Sequence, residues 1–397
     1  MKLSEKGLPE SEIIASLKKV VKKDEQYHTG RILGSMCTYP HEFAKKVACM
    51  FPEKNLGDPG LFPGTASLEK EVVQMIGDML GSSRVVGNIT TGGSEANIIA
   101  MHVAKTIFKK KNPEVIVPES AHASFHKAAD FMGFKLKVLK LNKDYTFDLG
   151  DLERKINDNT QAVVGIAGTT ALGLVDPIEE MGKIIADKSS DIHFHVDAAF
   201  GGFVIPFLKD IGHEFPKYDF EVKEVTSMTA DPHKMGCNLI PSGCFLLRDE
   251  FDEKTSCFDI PYLAGGSFKH YNIMGTRPGN TVLSCWGLMK LLGREGYREL
   301  VKASWENTLY FRERLKDLEK FVGVAREPVM NVIGIVSNTS VPITKIDKEL
   351  RKNRWYIGLF ESYDPPLMRI VMMPHITRDA IDEFFVVFEK VLEDLNT

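Results

Sequence analysis

An α/β fold built on a mainly parallel sheet, with a smaller α/β domain after it, is what this sequence predicts. Three observations carry that reading. Short apolar runs alternate with amphipathic helical segments from Thr65 to about Phe251. The chain has 397 residues, more than one compact domain usually holds, and its pattern changes character after Gly279.

The first fifty residues read as a helical arm. Ile13, Leu17, Val20 and Val21 recur at helical spacing, a second periodic segment follows Pro40, and Gly30 to Tyr39 between them is a loop. Asn55 to Gly64 is dense in Gly and Pro, an ordered connection that serves either as a domain entry or as a wall on the substrate side. Helices are predicted over 66–80, 94–109, 121–131 and 177–187, and strands over 115–117, 136–139, 162–166, 192–196 and 244–247. Apolar strands separated by helices imply a sheet covered on both faces, whose ligands gather beyond the carboxyl ends of the strands. After Gly279 a helical stretch runs through Trp286, Leu291 and Tyr297 towards Leu318. Strand-like 331–336 and 368–372, with helical 345–353 and 377–393, complete the smaller unit. The expected partition is an arm at 1–50, a large domain at 51–278 and a small domain at 279–397.

Composition narrows the function. Apolar residues make up 43% of the chain, enough for a core and no case for global disorder. A net charge of -4 with interspersed signs offers no general attraction for nucleic acid or anionic membrane. The six cysteines form no CxxC pair, a pattern that fits a reducing compartment. The charged start leads to no apolar signal core, and no apolar stretch reaches membrane-spanning length. The expectation is a cytoplasmic chain with neither nucleic acid nor membrane as partner.

Four places could do chemistry. In Thr90-Thr91-Gly92-Gly93-Ser94-Glu95-Ala96-Asn97, glycines let backbone approach an anion, and Ser94 with the free amides of a helix start can receive phosphate oxygens. The plainer reading makes Ser94 and Asn97 an ordinary helix cap. Neither GxxxxGK[ST] nor GxGxxG is present, so nucleotide binding loses its usual support. Period-two geometry puts His193, His195 and Asp197 on one strand face, which invites a metal reading. No second cluster supplies further ligands, so no metal is expected. Asp197 at the strand end can instead pair with a protonated ring nitrogen and keep that ring electron-accepting.

Lys234, in Asp231-Pro232-His233-Lys234, is an amine that can form an imine with a carbonyl. His122 follows the strand ending at Val117; it is either a satisfied junction residue or a plate that stacks on a flat cofactor. The turn Ala167 to Gly173 places Thr170 where its hydroxyl could reach a cofactor's polar edge. Phosphate cradle, ring platform, carboxylate and lysine occur in chain order, each after a strand candidate or a helix-opening turn. A serine hydrolase would need a GxSxG elbow, which is missing.

Together these segments resemble the group II pyridoxal-phosphate (PLP) dependent amino-acid decarboxylases, of the aspartate-aminotransferase-like fold type I. Within that family the chain is most similar to the archaeal L-tyrosine/L-aspartate decarboxylases. The resemblance covers nearly the whole chain and rests on Gly34–Cys37, Asn55–Gly60, Gly92–Asn97, Gly165–Thr170, His195–Gly202, Asp231–Gly236, Gly275–Arg277 and Met373–His375. It implies pyridoxal 5'-phosphate on Lys234 as a Schiff base, Asp197 at the pyridine nitrogen and His122 over the ring. It further implies Gly93, Ser94 and His233 at the phosphate and Thr170 near the ring hydroxyl. Many relatives have asparagine where this chain has Asp231, and an ionised carboxylate cannot donate to phosphate. Tyr271, with Tyr262 and His270, is the candidate for protonating the product carbanion. Arg369, with Arg277 behind it, is the candidate for a substrate carboxylate.

The implied reaction takes L-aspartate to β-alanine, as in coenzyme A biosynthesis, or L-tyrosine to tyramine, as in methanofuran biosynthesis, with release of CO2. The family also implies a homodimer. The alternatives are another PLP reaction such as desulfination or carbon–sulfur cleavage, and a His/Asp metal-dependent hydrolase.

Overall fold

The computed structural model describes residues 2–189, 191–252, 258–270 and 272–396. At its centre seven strands form one sheet: β1 (Val85–Thr90), β2 (Glu114–Pro118), β3 (Lys135–Leu139), β4 (Thr160–Ile166), β5 (His193–Asp197), β6 (Ser227–Ala230) and β7 (Gly243–Arg248). They lie in the order β1-β7-β6-β5-β4-β2-β3, and β7 alone runs against the others. Every residue of β2, β4, β5 and β6 is buried, which is why the apolar ones among them read as continuous runs instead of alternating. Alternate residues feed two separate cores. Val115, Val117, Ala162 and Val164 pack with helices Gly93–Ile107 and Ser124–Met132; Ile116, Val163, Phe194 and Val196 pack with Pro63–Met79 and Ile178–Lys188.

All five predicted strands form, and the four predicted helices of this region sit within three residues of their expected bounds. Two strands were not expected, β1 and β6. The second explains itself: Ser227 and Thr229 are polar because their hydroxyls serve buried histidine and asparagine side chains. An apolar-run criterion passes over such a strand.

The second sheet joins Val322–Val324, Val332–Ser337, Leu367–Val371 and Gly358–Phe360, antiparallel throughout. Its core holds Phe311, Trp355, Ile370, Phe384 and Phe388. Helix Gly279–Lys316 touches both cores and breaks at Gly293, whose φ of 56° is easy only for glycine. The loop at 30–39 is not peripheral. Leu33 is fully buried in the second core, and its backbone bonds to Tyr356 and Val371. By contrast, helix Glu10–Val21 of the arm buries no residue. Among the described residues no helix is long and apolar enough to cross a membrane.

Candidate active site

The segments that follow the carboxyl ends of β1, β2, β4, β5 and β6 meet around one cavity of about 300 Å³. Its walls include Gly93, Ser94, His122, Thr170, Asp197, His233 and Lys234, so all seven expected cofactor residues come together.

After β1 the chain turns into a helix whose first residues are Gly93 and Ser94. The amides of Glu95 and Ala96 both bond to Gly92 O, at 3.0 and 3.2 Å, and those of Gly93 and Ser94 precede the helical ladder. A Cβ on Gly93 would stand 2.8 Å from Asp231 Oδ2, so no larger residue fits there. Ser94 makes no capping hydrogen bond and stays exposed at the cavity, which sets aside its reading as a cap. Buried Glu95 ties this turn to a distant segment. Its Oε2 accepts from Thr91 N at 2.7 Å, and its Oε1 from Ile273 N and Met274 N at 3.2 and 3.3 Å. Sequence reasoning passed over Glu95, because a helical glutamate carries no signal of a long-range backbone partner.

After β2, His122 Nδ1 accepts from Ser124 N at 3.2 Å and lies 3.0 Å from Ser124 Oγ. One ring edge is held at the junction while the exposed ring lines the cavity. After β4, Thr169 Oγ1 accepts from Leu174 N at 2.9 Å and closes the turn that presents Thr170.

At the end of β5, Asp197 is 6% exposed; its Oδ2 accepts from Asn97 Nδ2 at 2.8 Å and its Oδ1 from Ala199 N at 3.1 Å. His193 and His195 share its face, as period two requires, with ring planes 10° apart. Their nitrogens do not converge with the carboxylate on a common point. His193 Nε2 and His195 Nδ1 each lie 2.8 Å from Ser227 Oγ, and burial pushes the His193 pKa down to about 3.

After β6, Lys234 N bonds back to Asp231 O at 3.1 Å, a tight turn that brings Lys234 Nζ within 3.2 Å of Asp231 Oδ2. Asp231 is 1% exposed. His233 Nδ1 accepts from Ser242 N at 3.4 Å, which leaves Nε2 carrying the proton of the neutral ring. Burial lowers the His233 pKa, with Asp231 opposing. Asp231 Oδ2 thus faces both Lys234 Nζ, at 3.2 Å, and His233 Nε2, at 3.7 Å.

The two arginines part ways. Arg277 grips Glu69 with both terminal nitrogens, at 2.6 and 3.1 Å, and also donates to Ile89 O and Leu56 O. It is occupied structurally, which corrects its reading as a second carboxylate binder. Arg369 donates to Thr170 O at 2.8 Å and to Gly34 O, lies over the Phe360 ring, and leaves Nε without a partner. No carboxylate pairs with it among the described residues, and burial alone brings its pKa down to about 10. Tyr262 is 83% exposed. Tyr271 and the side chain of His270 lie outside the described residues.

This donor set fits a phosphorylated aromatic aldehyde: free helix-start amides for the phosphate, a carboxylate for a ring nitrogen, an imidazole for a flat face and an amine for the carbonyl. Comparison with known proteins points the same way. Residues 53–335 match the pyridoxal-dependent decarboxylase conserved domain. The chain is 44% identical over 392 residues to a Pyrococcus abyssi protein named "Probable L-aspartate decarboxylase", covering 99% of this chain and 100% of that one. It is 45% identical over 356 residues to a Methanothermobacter thermautotrophicus protein named "Probable L-tyrosine/L-aspartate decarboxylase", covering 90% and 96%. The fold superposes on a sphingosine-1-phosphate lyase of Burkholderia pseudomallei with a TM-score of 0.89 at 24% identity, covering 100% of this chain and 93% of that one.

Proposed function

The chain belongs to the pyridoxal-dependent decarboxylase family, and from that premise we propose that it removes the α-carboxylate of L-aspartate, releasing CO2 and β-alanine. The observation that carries this reading is the meeting of Lys234, Asp197 and His122 on one cavity beside the free helix start at Gly93 and Ser94. Bound pyridoxal phosphate supplies a conjugated cationic ring that takes up the electron pair of a bond breaking at Cα.

The chain's own residues do the rest. Gly93, Ser94 and His233 would hold the phosphate. Lys234, whose amine lines the cavity 3.2 Å from Asp231 Oδ2, would hold the cofactor's aldehyde carbon. Asp197, held by two donors, would face the ring nitrogen and hold its proton. His122 would cover one ring face, and Thr170 would lie near the ring hydroxyl. Arg369, which donates to Thr170 O beside the cavity, would draw a substrate carboxylate, and that anchoring would turn the bond to be broken into the reactive orientation.

Aspartate is supported by the names of both relatives, and tyrosine, giving tyramine, by the second of them alone. Aspartate would place the product in coenzyme A biosynthesis and tyrosine in methanofuran biosynthesis. The same reading makes the protein a cytoplasmic homodimer. Helix Glu10–Val21 leaves Ile13, Leu17 and Val20 exposed at 44, 59 and 62%, an apolar stripe for a second copy to cover. The second core, drawn from residues 311–392 apart from Leu33, supports a small domain, while Val282 to Val301 of the long helix pack into the core of the large one.

A panel of L-amino acids given to the PLP-loaded protein, read for CO2 and for amine, tests the assignment. Equal yields of CO2 and β-alanine from aspartate are expected. Faster release from tyrosine would select the second reading, and release from neither would overturn both. Asp197→Ala should keep its affinity for pyridoxal phosphate within about tenfold and lose at least ~100-fold in turnover; unchanged turnover would reject its role.

A further inference from the structure

From the cavity wall a buried polar chain runs inward, and the reaction above assigns no part to its central residue. Its centre is Asn97, 1% exposed. A carboxylate only accepts hydrogen bonds, so the Asn97 atom 2.8 Å from Asp197 Oδ2 is the amide nitrogen. That nitrogen gives its second proton to Ser124 Oγ at 3.0 Å. Asn97 Oδ1 therefore faces the other way, towards Thr229 Oγ1 at 2.8 Å and His195 Nε2 at 3.1 Å.

An amide oxygen cannot donate, so His195 carries its proton on Nε2. Burial holds that ring neutral, which leaves Nδ1 bare to accept from Ser227 Oγ at 2.8 Å. Ser227 in turn accepts from His193 Nε2 at 2.8 Å. At the other end Ser124 has already accepted from Asn97, so its hydroxyl proton goes to His122 Nδ1 at 3.0 Å. Every donor in the chain points the same way, from His193 towards the cavity.

We propose that Asn97 is a positioning residue for the decarboxylation, a single amide that aims both Asp197 and, through Ser124, His122. The inference rests on the assignment of those two side chains to the cofactor. A buried asparagine that was only a satisfied core group would have no reason to bridge the two sides that flank one ring. Position 97 also sets the tautomer of His195, which gives the idea a readout independent of turnover.

The first test uses nitrogen–hydrogen correlation spectra of histidine-labelled, cofactor-free protein. A single tautomer is expected for His195, protonated at Nε2 and bare at Nδ1. A proton on Nδ1 of that ring would overturn the proposal. The second test separates the two faces of the amide in the loaded enzyme. Asn97→Asp keeps an oxygen for His195 and Thr229 but sets a second carboxylate against Asp197. Its kcat should fall roughly tenfold to a hundredfold, with KM changed less than about threefold and the His195 spectrum kept. Asn97→Leu should lose turnover similarly and also mix the His195 tautomers. Wild-type kcat in Asn97→Asp would sink the idea. Failure of the cofactor assignment itself would look different: Lys234 would not carry the cofactor, while the wild-type histidine spectra would stand.

Discussion

Arg277 and Arg369 are both buried guanidiniums, 5% and 8% exposed, and sequence alone ranks them only by position. Their surroundings differ in one respect that decides their use. Arg277 has a carboxylate, Glu69, on both of its terminal nitrogens. Arg369 has two backbone carbonyls, an aromatic face and an empty Nε. A buried cation that is already neutralised holds a structure together; one that is not stays free to pair with an anion, which is the role proposed for Arg369. The first joins the Asn55–Gly60 connection to β1, and the second holds the turn that presents Thr170.

The comparison can be broken most forcibly at Arg277. Arg277→Met strands the Glu69 carboxylate in the core and should cost about 3–5 kcal/mol of stability. Urea midpoints will measure it, and Glu69→Leu with Arg277→Met should recover most of the loss. A single variant as stable as the wild type would dissolve the distinction. Arg369→Met should behave oppositely. Removing an uncompensated buried charge balances the loss of two hydrogen bonds, so stability should stay within about 1 kcal/mol. Its kcat/KM should nevertheless fall about tenfold to a hundredfold, because a charge-assisted contact to substrate is gone.

A smaller effect concerns the turn that carries Arg369's acceptor. Asp176 Oδ2 accepts from Ile166 N at 2.8 Å at the base of that turn, and burial raises the Asp176 pKa from 3.8 to about 7. The folded protein thus keeps a proton that the unfolded chain has lost between these values. Stability from this group is whole below about pH 4, declines from there to about pH 7, and changes no further above it. Asp176→Asn removes the decline. At pH 8 it should exceed the wild type by roughly 1–3 kcal/mol more than it does at pH 4. Equal differences at the two pH values would contradict the assignment.

How far the sequence reached follows from the same physics. Apolar strands and the small residues that close on a ligand leave local patterns, so the parallel sheet, the helix start at Gly93 and the turn at Lys234 were legible. Polar residues that serve partners far along the chain leave none. Ser227 and Thr229 hid β6, and Glu95 reaches residues 273 and 274 without any local sign. Asn97 looked like part of a helix cap, while its amide serves Asp197, a hundred positions away. For the same reason Arg277 and Arg369 could be named but not told apart: the carboxylate that separates them is 208 positions from the first.

All of these roles depend on the cofactor being where Lys234 is. Borohydride reduction of the PLP-loaded protein makes the covalent attachment permanent, and peptide mass spectrometry then reads which lysine bears it. The expected result is one modified peptide, containing Lys234, with neither modification nor decarboxylation above about 0.1% of wild type in Lys234→Ala. Modification at a different lysine, or full activity in that variant, would contradict the account.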